Sequence, residues 1–292
     1  MIALIDNFSR ISTMLTGLIC IYTIAFVLYS ISLFMKENST VYTLGRFSLF
    51  VGFIINGWLI VQRWMEASRP PFKTFYESLV FAAFCIILVY LVLELIRKVK
   101  LVGVGSILLA LGCLLLAVVK VDVEIINLPP ALQSGWFIPH VVIYFIGYGA
   151  LAVSFATGIM YLFFPDAITL DPSTRKGRFF TNALGGEIVD LEAFTHQLII
   201  VGFTFLNMGL LTGSMWAKFA WGDYWFWDPK ENWSLITWTI YLAYFHLRYV
   251  KGWRGRKAVV FSIIGFAAIV FTYLGMSALP TASMSEHVYT SQ

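Results

Sequence analysis

Trp216 to Trp238 reads WAKFAWGDYWFWDPKENWSLITW. Six of the ten tryptophans in the chain, Trp216, Trp221, Trp225, Trp227, Trp233 and Trp238, fall within this one stretch. A tryptophan buries a large rigid ring and keeps one N–H donor, so a cluster of them suits a membrane-water boundary or a flat aromatic ligand. A boundary belt needs one or two rings at each helix end. It does not call for Trp221, Trp225, Trp227, Asp228, Pro229, Lys230 and Glu231 in near-continuous order, and the run reads better as a ligand platform.

Around this stretch the chain is strongly apolar. Of its 292 residues 59% are hydrophobic and 12% charged, and the mean hydropathy is +0.81, outside the make-up of a soluble globular domain. Each helical span needs about 20 apolar residues. The length then accommodates about eight spans, and the expected fold is all-α, a polytopic integral membrane helix bundle forming a single membrane domain over 1–292. Candidate spans run Leu15 to Phe34, Phe47 to Val61, Phe75 to Leu95, Val102 to Val119, Ile138 to Phe164, Phe194 to Gly213, Ser234 to Phe245 and Ala258 to Gly275. The first apolar run, Ile11 to Met35, is too long for a signal-peptide core and reads as a retained span.

The odd-numbered connections hold thirteen of the twenty basic residues. The positive-inside rule then puts those connections in the cytoplasm and both termini outside. On that topology the tryptophan-rich segment 214–234, between spans six and seven, is external. Cys20, Cys85 and Cys113 lie in apolar stretches with no C-x-x-C pair, which argues against a redox dithiol or zinc site. No phosphate-binding glycine loop, internal repeat or nucleic-acid signature occurs.

Four histidines complete the chemical inventory. His140 follows Pro139 at the outer mouth of span five, and His287 lies in the outer tail, both on the tryptophan side. Two imidazoles beside a flat aromatic platform point to heme, whose iron takes axial histidines. His246 ends span seven at the opposite face, about 24 Å from Lys230 at the rise of an α-helix. One ligand cannot bridge that gap, so a second heme position is implied. His196 opens span six at the cytoplasmic end and is an alternative ligand facing His246. A headgroup-level imidazole, with the second ligand supplied by another protein, is the favoured account.

The run WGDYWFWDPKENWSLITW, followed by YLAYFHLR, resembles the tryptophan-rich WWD signature of heme-handling proteins. The chain is most similar to the CcsA (or ResC) family of cytochrome c assembly proteins, which shows WG-x-YW-x-WDPKE-x-W-x-L-x-TW and then a helix ending in H-x-R. The likeness extends to PFKTFYESLVF, the histidine opening span five, Gly213 with Trp216, the KGWRGRK turn and a histidine after the last span. Asn232 stands where the family commonly has threonine. The shorter CcmC proteins, with a differently ended motif, fit less well.

The resemblance implies that His140 and His287 are axial ligands of an external heme b (protoheme) and that His246 ligates a heme within the membrane. The second membrane ligand would come from a CcsB/ResB-type membrane subunit, and His196 has no ligand role by this analogy. Trp221, Tyr224, Trp225, Trp227, Asp228, Lys230 and Trp233 would form the cofactor-binding platform. Arg63, Arg69 and Lys73 are further candidate propionate partners, and Asp228 and Pro229 are expected to shape the WDPKE turn.

The implied function is attachment of reduced heme to C-x-x-C-H segments of apocytochrome c, as part of a holocytochrome c synthase complex. Thiol-reducing proteins would act indirectly, and membrane lipid would surround the bundle. The implied location is the bacterial inner membrane with the platform in the periplasm, or alternatively a plastid thylakoid membrane. A membrane di-heme electron-transfer subunit and a heme exporter without ligation activity are the rival readings.

Overall fold

Long apolar runs in a medium without water must satisfy every backbone N–H and C=O internally, and helices do so within one segment. The computed structural model describes residues 2–35, 39–119, 130–165, 173–184 and 190–275, and every regular element among them is helical. The helices are α1 (Ile2–Ser32), α2 (Thr40–Ala67), α3 (Phe75–Ile96), α4 (Lys100–Val119), α5 (Phe137–Phe163), α6 (Arg175–Ala183), α7 (Leu191–Trp221), α8 (Pro229–Tyr249) and α9 (Arg256–Tyr273). A short 3-10 turn, Pro130–Gln133, precedes α5. Seven of these helices, all except α6 and α8, are long and apolar enough to cross a membrane. The chain is a multi-pass membrane helix bundle.

The chain forms two compact units. The first joins Met1–Ile126 to Phe164–Asp190 and so holds α1 to α4 and α6. In α2 the buried positions Tyr42, Gly45, Leu49, Gly52, Asn56, Leu59 and Arg63 recur every three or four residues. The opposite stripe, Leu44, Phe47, Phe50, Ile54, Trp58 and Val61, is exposed and equally apolar. A helix apolar on both faces belongs in hydrocarbon. The α1 to α4 core is pinned by one buried carboxylate. Glu94 accepts from the hydroxyls of Tyr29 at 2.6 Å, Tyr42 at 2.9 Å and Tyr90 at 2.9 Å, and from Arg46 Nε at 3.2 Å. Fully buried Lys100 donates to the Ser32 and Met35 carbonyls at the end of α1.

The second unit joins Asn127–Phe163 to Leu191–Gln292 and holds α5, α7, α8 and α9. Its core gathers Leu151, Ile199, Leu206, Tyr241, Ala258 and Ile269. Helices α5 and α7 approach closely because small residues face large ones. A Cβ on Gly202 would fall 2.5 Å from Leu151 Cγ, so only glycine fits there. Polar pairs stitch the remaining seams, as expected where lipid offers no partner. Thr195 donates to Thr157 at 2.9 Å, Trp238 Nε1 to Asn207 at 2.8 Å, and the Thr237 and Thr272 hydroxyls meet at 3.0 Å.

Two elements differ from the sequence expectation. Helix α7 runs well past Gly213 to Trp221, because Ser214 to Trp221 contains no breaker before Gly222, which sits at φ +98°. The tryptophan stretch is therefore the end of one helix, a turn and the start of the next. Helix α6 lies inside the loop expected between Pro165 and Glu192. Its N-cap Thr174 accepts from Gly177 N, and Phe180 and Ala183 are buried below exposed Arg175, Lys176 and Arg178. The span expected at Ser234 to Phe245 corresponds to α8, whose polar ends keep it less apolar than the others.

Candidate functional site

The first turn of α5 and the last three turns of α7 build one wall. His140 Nδ1 lies 2.9 Å from the Gly209 carbonyl oxygen. A carbonyl only accepts, so in the neutral ring Nδ1 carries the proton and Nε2 the lone pair. The ring stacks on Trp216 with centroids 5.5 Å apart at 29°, and its edge meets Tyr144 at 5.0 Å. A Cβ on Gly213 would stand 2.6 Å from His140 Cε1, so this glycine is the notch that admits the imidazole. Trp216 is buried and packs on Trp221 at 4.9 Å. Residues that the histidine count alone does not reveal, Gly209, Gly213 and Trp216, thus fix its tautomer and orientation.

Between α7 and α8 the chain turns through residues 222–228. Asp228 is the N-cap of α8, with a capping box to Glu231 and Pro229 in the first turn. Its carboxylate accepts from Lys230 N at 2.7 Å, and Glu231 accepts from the backbone N–H groups of Phe226 at 2.9 Å and Asp228 at 3.2 Å. This satisfies the orphan donors of the helix start, and Asp228 and Pro229 shape the turn as the sequence led us to expect. Trp227 has φ +59°, a left-handed conformation costing a non-glycine residue about 1–2 kcal/mol. Asn232 Nδ2 donates to the Trp227 carbonyl at 2.9 Å and holds it there.

That turn exposes aromatic surface. Tyr224, Phe226 and Trp227 are largely open, whereas Trp221 and Trp225 are half-buried. Lys218 sits over the Tyr224 ring at 5.4 Å. Trp225 and Trp227 meet edge to face at 6.1 Å, and Trp233 packs on Phe271 of α9 at 4.3 Å. The indole N–H of Trp225 is buried with no hydrogen-bond acceptor among the described residues. Burial pushes the Lys230 ammonium down to about 8, against the opposing pull of Asp228. A buried donor lacking an acceptor is what an acceptor group brought by a ligand would satisfy.

The other histidines lie elsewhere. His246 is exposed near the end of α8, with exposed Leu242, Tyr249 and Val250 beside it on the same face. Because α8 is continuous from Pro229 to Tyr249, Lys230 and His246 stand at opposite ends, about 24 Å apart by helical rise. His196 on α7 meets Tyr244 Oη through Nδ1 at 3.1 Å and Tyr249 Oη through Nε2 at 3.0 Å. Both ring nitrogens are thus engaged by tyrosines. Beside it, Arg248 forms a two-pronged buried pair with Glu192. His287 lies outside the described residues.

In the first unit the expected propionate partners are gathered around a carboxylate. Arg63 Nε donates to Glu77 at 2.9 Å, and Arg69 donates to both Glu77 oxygens at 3.0 Å. All three residues are buried. The same carboxylate accepts from Lys73 N and Thr74 N, closing the Thr74 capping box of α3. Burial, with Arg69 close by, lowers the Lys73 ammonium. The T-x-x-E spacing of Thr74 and Glu77 is the sequence signal that identifies Glu77 as the organiser.

Residues 72–282, most of the chain, match the family model described as "Cytochrome C assembly protein". The chain therefore belongs to the family of membrane-embedded cytochrome c assembly proteins. Within that family it is similar to the proteins named cytochrome c biogenesis protein CcsA. That of Trieres chinensis is 34% identical over 281 residues, covering 87% of this chain and 90% of the relative. That of Gloeobacter violaceus is 29% identical over 303 residues, covering 88% and 90%. That of Chlamydomonas reinhardtii is 33% identical over 231 residues, covering 76% and 62%. Among solved structures, the cytochrome c heme lyase CcmF superposes with a TM-score of 0.63 at 16% identity, over 89% of this chain. The chain spans only 45% of that longer protein, and the likeness is one of fold.

Proposed function

We propose that this chain handles heme b for cytochrome c assembly at two positions, an external platform around the tryptophan turn and a membrane site at His246. The observation that carries the reading is the His140 geometry. An imidazole whose Nδ1–H is committed to a backbone carbonyl has the tautomer and fixed orientation of a ring prepared to ligate iron through Nε2. The donor set fits the group: isolated imidazoles at two levels, aromatic walls, the Trp225 indole N–H and the partly desolvated Lys230.

Bound heme supplies an iron that accepts axial nitrogens and vinyl groups to which cysteine thiols of an apocytochrome add. Towards it, His140 and His287 would be the external axial ligands. Trp221, Tyr224, Trp225, Trp227 and Trp233 provide apolar faces and exclude water. Trp225 Nε1 and Lys230 would hold the carboxylates of the group, while Asp228 keeps the turn in shape. Arg63 and Arg69 act as structural partners of Glu77 instead. His246, exposed on α8, would give one nitrogen ligand for the membrane heme, and a CcsB/ResB-type subunit would give the other. On this reading segment 214–234 faces the periplasm or lumen, both termini lie on that side, and the chain works within a holocytochrome c synthase complex. Positioning and redox poise are its contributions, since the substrate brings the thiols.

The test is heme content and axial-ligand spectra of His140→Ala, His287→Ala and His246→Ala chains, with and without the partner subunit. Selective loss of external ligation in the first two and of membrane heme in the third is expected. Full cytochrome c assembly by all three variants would overturn the ligand roles.

A further inference from the structure

Two tyrosines of α8 converge on the single imidazole of His196, and they differ in what the contact achieves. Tyr244 is 3% exposed, and its bond to His196 belongs to the packed α7–α8 seam. Tyr249 is 67% exposed, yet its hydroxyl is turned back and held by His196 Nε2 at 3.0 Å. Its ring is also fixed from a second side, parallel to Phe245 within 7° at 6.1 Å. An exposed phenol ordered at two points is more constraint than a helix end requires. Arg248 and Glu192 already tie this end of α8 to α7.

Position explains the constraint. Residues three and four apart are neighbours on a helix surface. Tyr249 follows His246 by three, and the exposed face around His246 is otherwise the short apolar edge of Leu242 and Val250. We propose that His196 is an anchor, holding Tyr249 upright as an aromatic wall beside His246, so that a planar iron-bearing ligand taken by His246 meets an ordered ring. The inference rests on the assignment of His246 above. His196 and Tyr249 are then positioning residues, one acting through the other.

The full chain with its partner subunit is the material for the test, in the variants His196→Ala, His196→Gln, Tyr249→Ala, Tyr249→Phe and His246→Ala. Two readouts are needed beyond assembly. One is the rate at which diethyl pyrocarbonate modifies His246 in the chain without heme, followed by peptide mass spectrometry. The other is the reduction potential and retention of the membrane heme.

His196→Ala and Tyr249→Ala should raise the His246 labelling rate severalfold, shift the potential and weaken heme retention roughly tenfold, the scale of losing a supporting partner of a ligand. His196→Gln, whose amide still meets a hydroxyl, should recover most of the loss. Tyr249→Phe removes one oxygen, leaves the ring and should shift the potential with folding unchanged. Wild-type labelling and potential in both Tyr249 variants would overturn the proposal even if His246→Ala loses its heme. Conversion of the membrane heme to five-coordinate spectra by His196→Ala alone would overturn it too, making His196 a ligand. Retention of that heme in His246→Ala would instead remove the underlying assignment.

Discussion

His140 and His246 stand at opposite levels of the same unit and are prepared in opposite ways. His140 is held at Nδ1 by a carbonyl, stacked on Trp216 and seated in a notch made by Gly213. His246 is exposed, and its own side chain makes no hydrogen bond among the described residues. Around it the preparation is indirect, through Arg248 and Glu192 and through His196 with Tyr249. One imidazole is pre-oriented by its own chain. The other stands open at the surface, and on the proposed reading the external site is built largely by this chain and the membrane site is shared with a second subunit.

The largest effect should come from breaking the support at the His246 end. Arg248→Met would strand the Glu192 carboxylate, and removing one partner of a buried pair costs about 3–5 kcal/mol. We expect a large drop in thermal stability in detergent and loss of membrane heme, with the His140 region retaining its spectrum. Equal loss at both levels would erase the distinction between them. Next, Gly213→Leu would drive a side chain into the His140 ring, since even its Cβ would stand 2.6 Å from Cε1. Overpacking of this kind costs about 1–3 kcal/mol, and external ligation should vanish while membrane heme persists.

A smaller effect is expected from Glu231→Ala. It removes the reciprocal half of the α8 capping box and frees the Phe226 and Asp228 N–H groups, at a cost of about 1 kcal/mol. The readout is faster proteolysis within residues 222–228 at unchanged His246 labelling.

The last is a pH effect. Lys230 is lowered from 10.5 to about 8 in the folded chain, so between those values the unfolded state binds more protons and stability rises with pH. Below about pH 8 both states are protonated and the destabilisation is fully present. Lys230→Met should flatten the rise of melting temperature between pH 8 and 10.5, and an unchanged slope would show that another group causes it.

The long spans, the shaping of the WDPKE turn by Asp228 and Pro229 and the opposite placement of Lys230 and His246 were legible in the sequence because each rests on local spacing. Apolar length marks spans, D-P-K-E marks a turn, and helical rise fixes separation. What was hidden depends on which helix meets which. Nothing local in LNMGLLTG says that Gly209 will supply a carbonyl to His140 and Gly213 the room for its ring. Nor does the spacing of His196, Tyr244 and Tyr249 disclose that three side chains from two helices close on one another. The arginines at 63 and 69 read as available cations because no local spacing pairs them with Glu77, which the fold brings to both.

The Glu94 cluster also has a bearing on how the molecule is made. Tyr29 and Tyr42 emerge from the ribosome before Glu94, so the first two helices enter the bilayer before this acceptor for their hydroxyls exists. Only when α3 inserts is that carboxylate delivered, with Lys100 on α4 then closing the end of α1. Assembly of this unit therefore has a built-in order. The early helices wait for a later one, and a chain stalled between α2 and α3 would leave their phenols seeking other partners in the lipid.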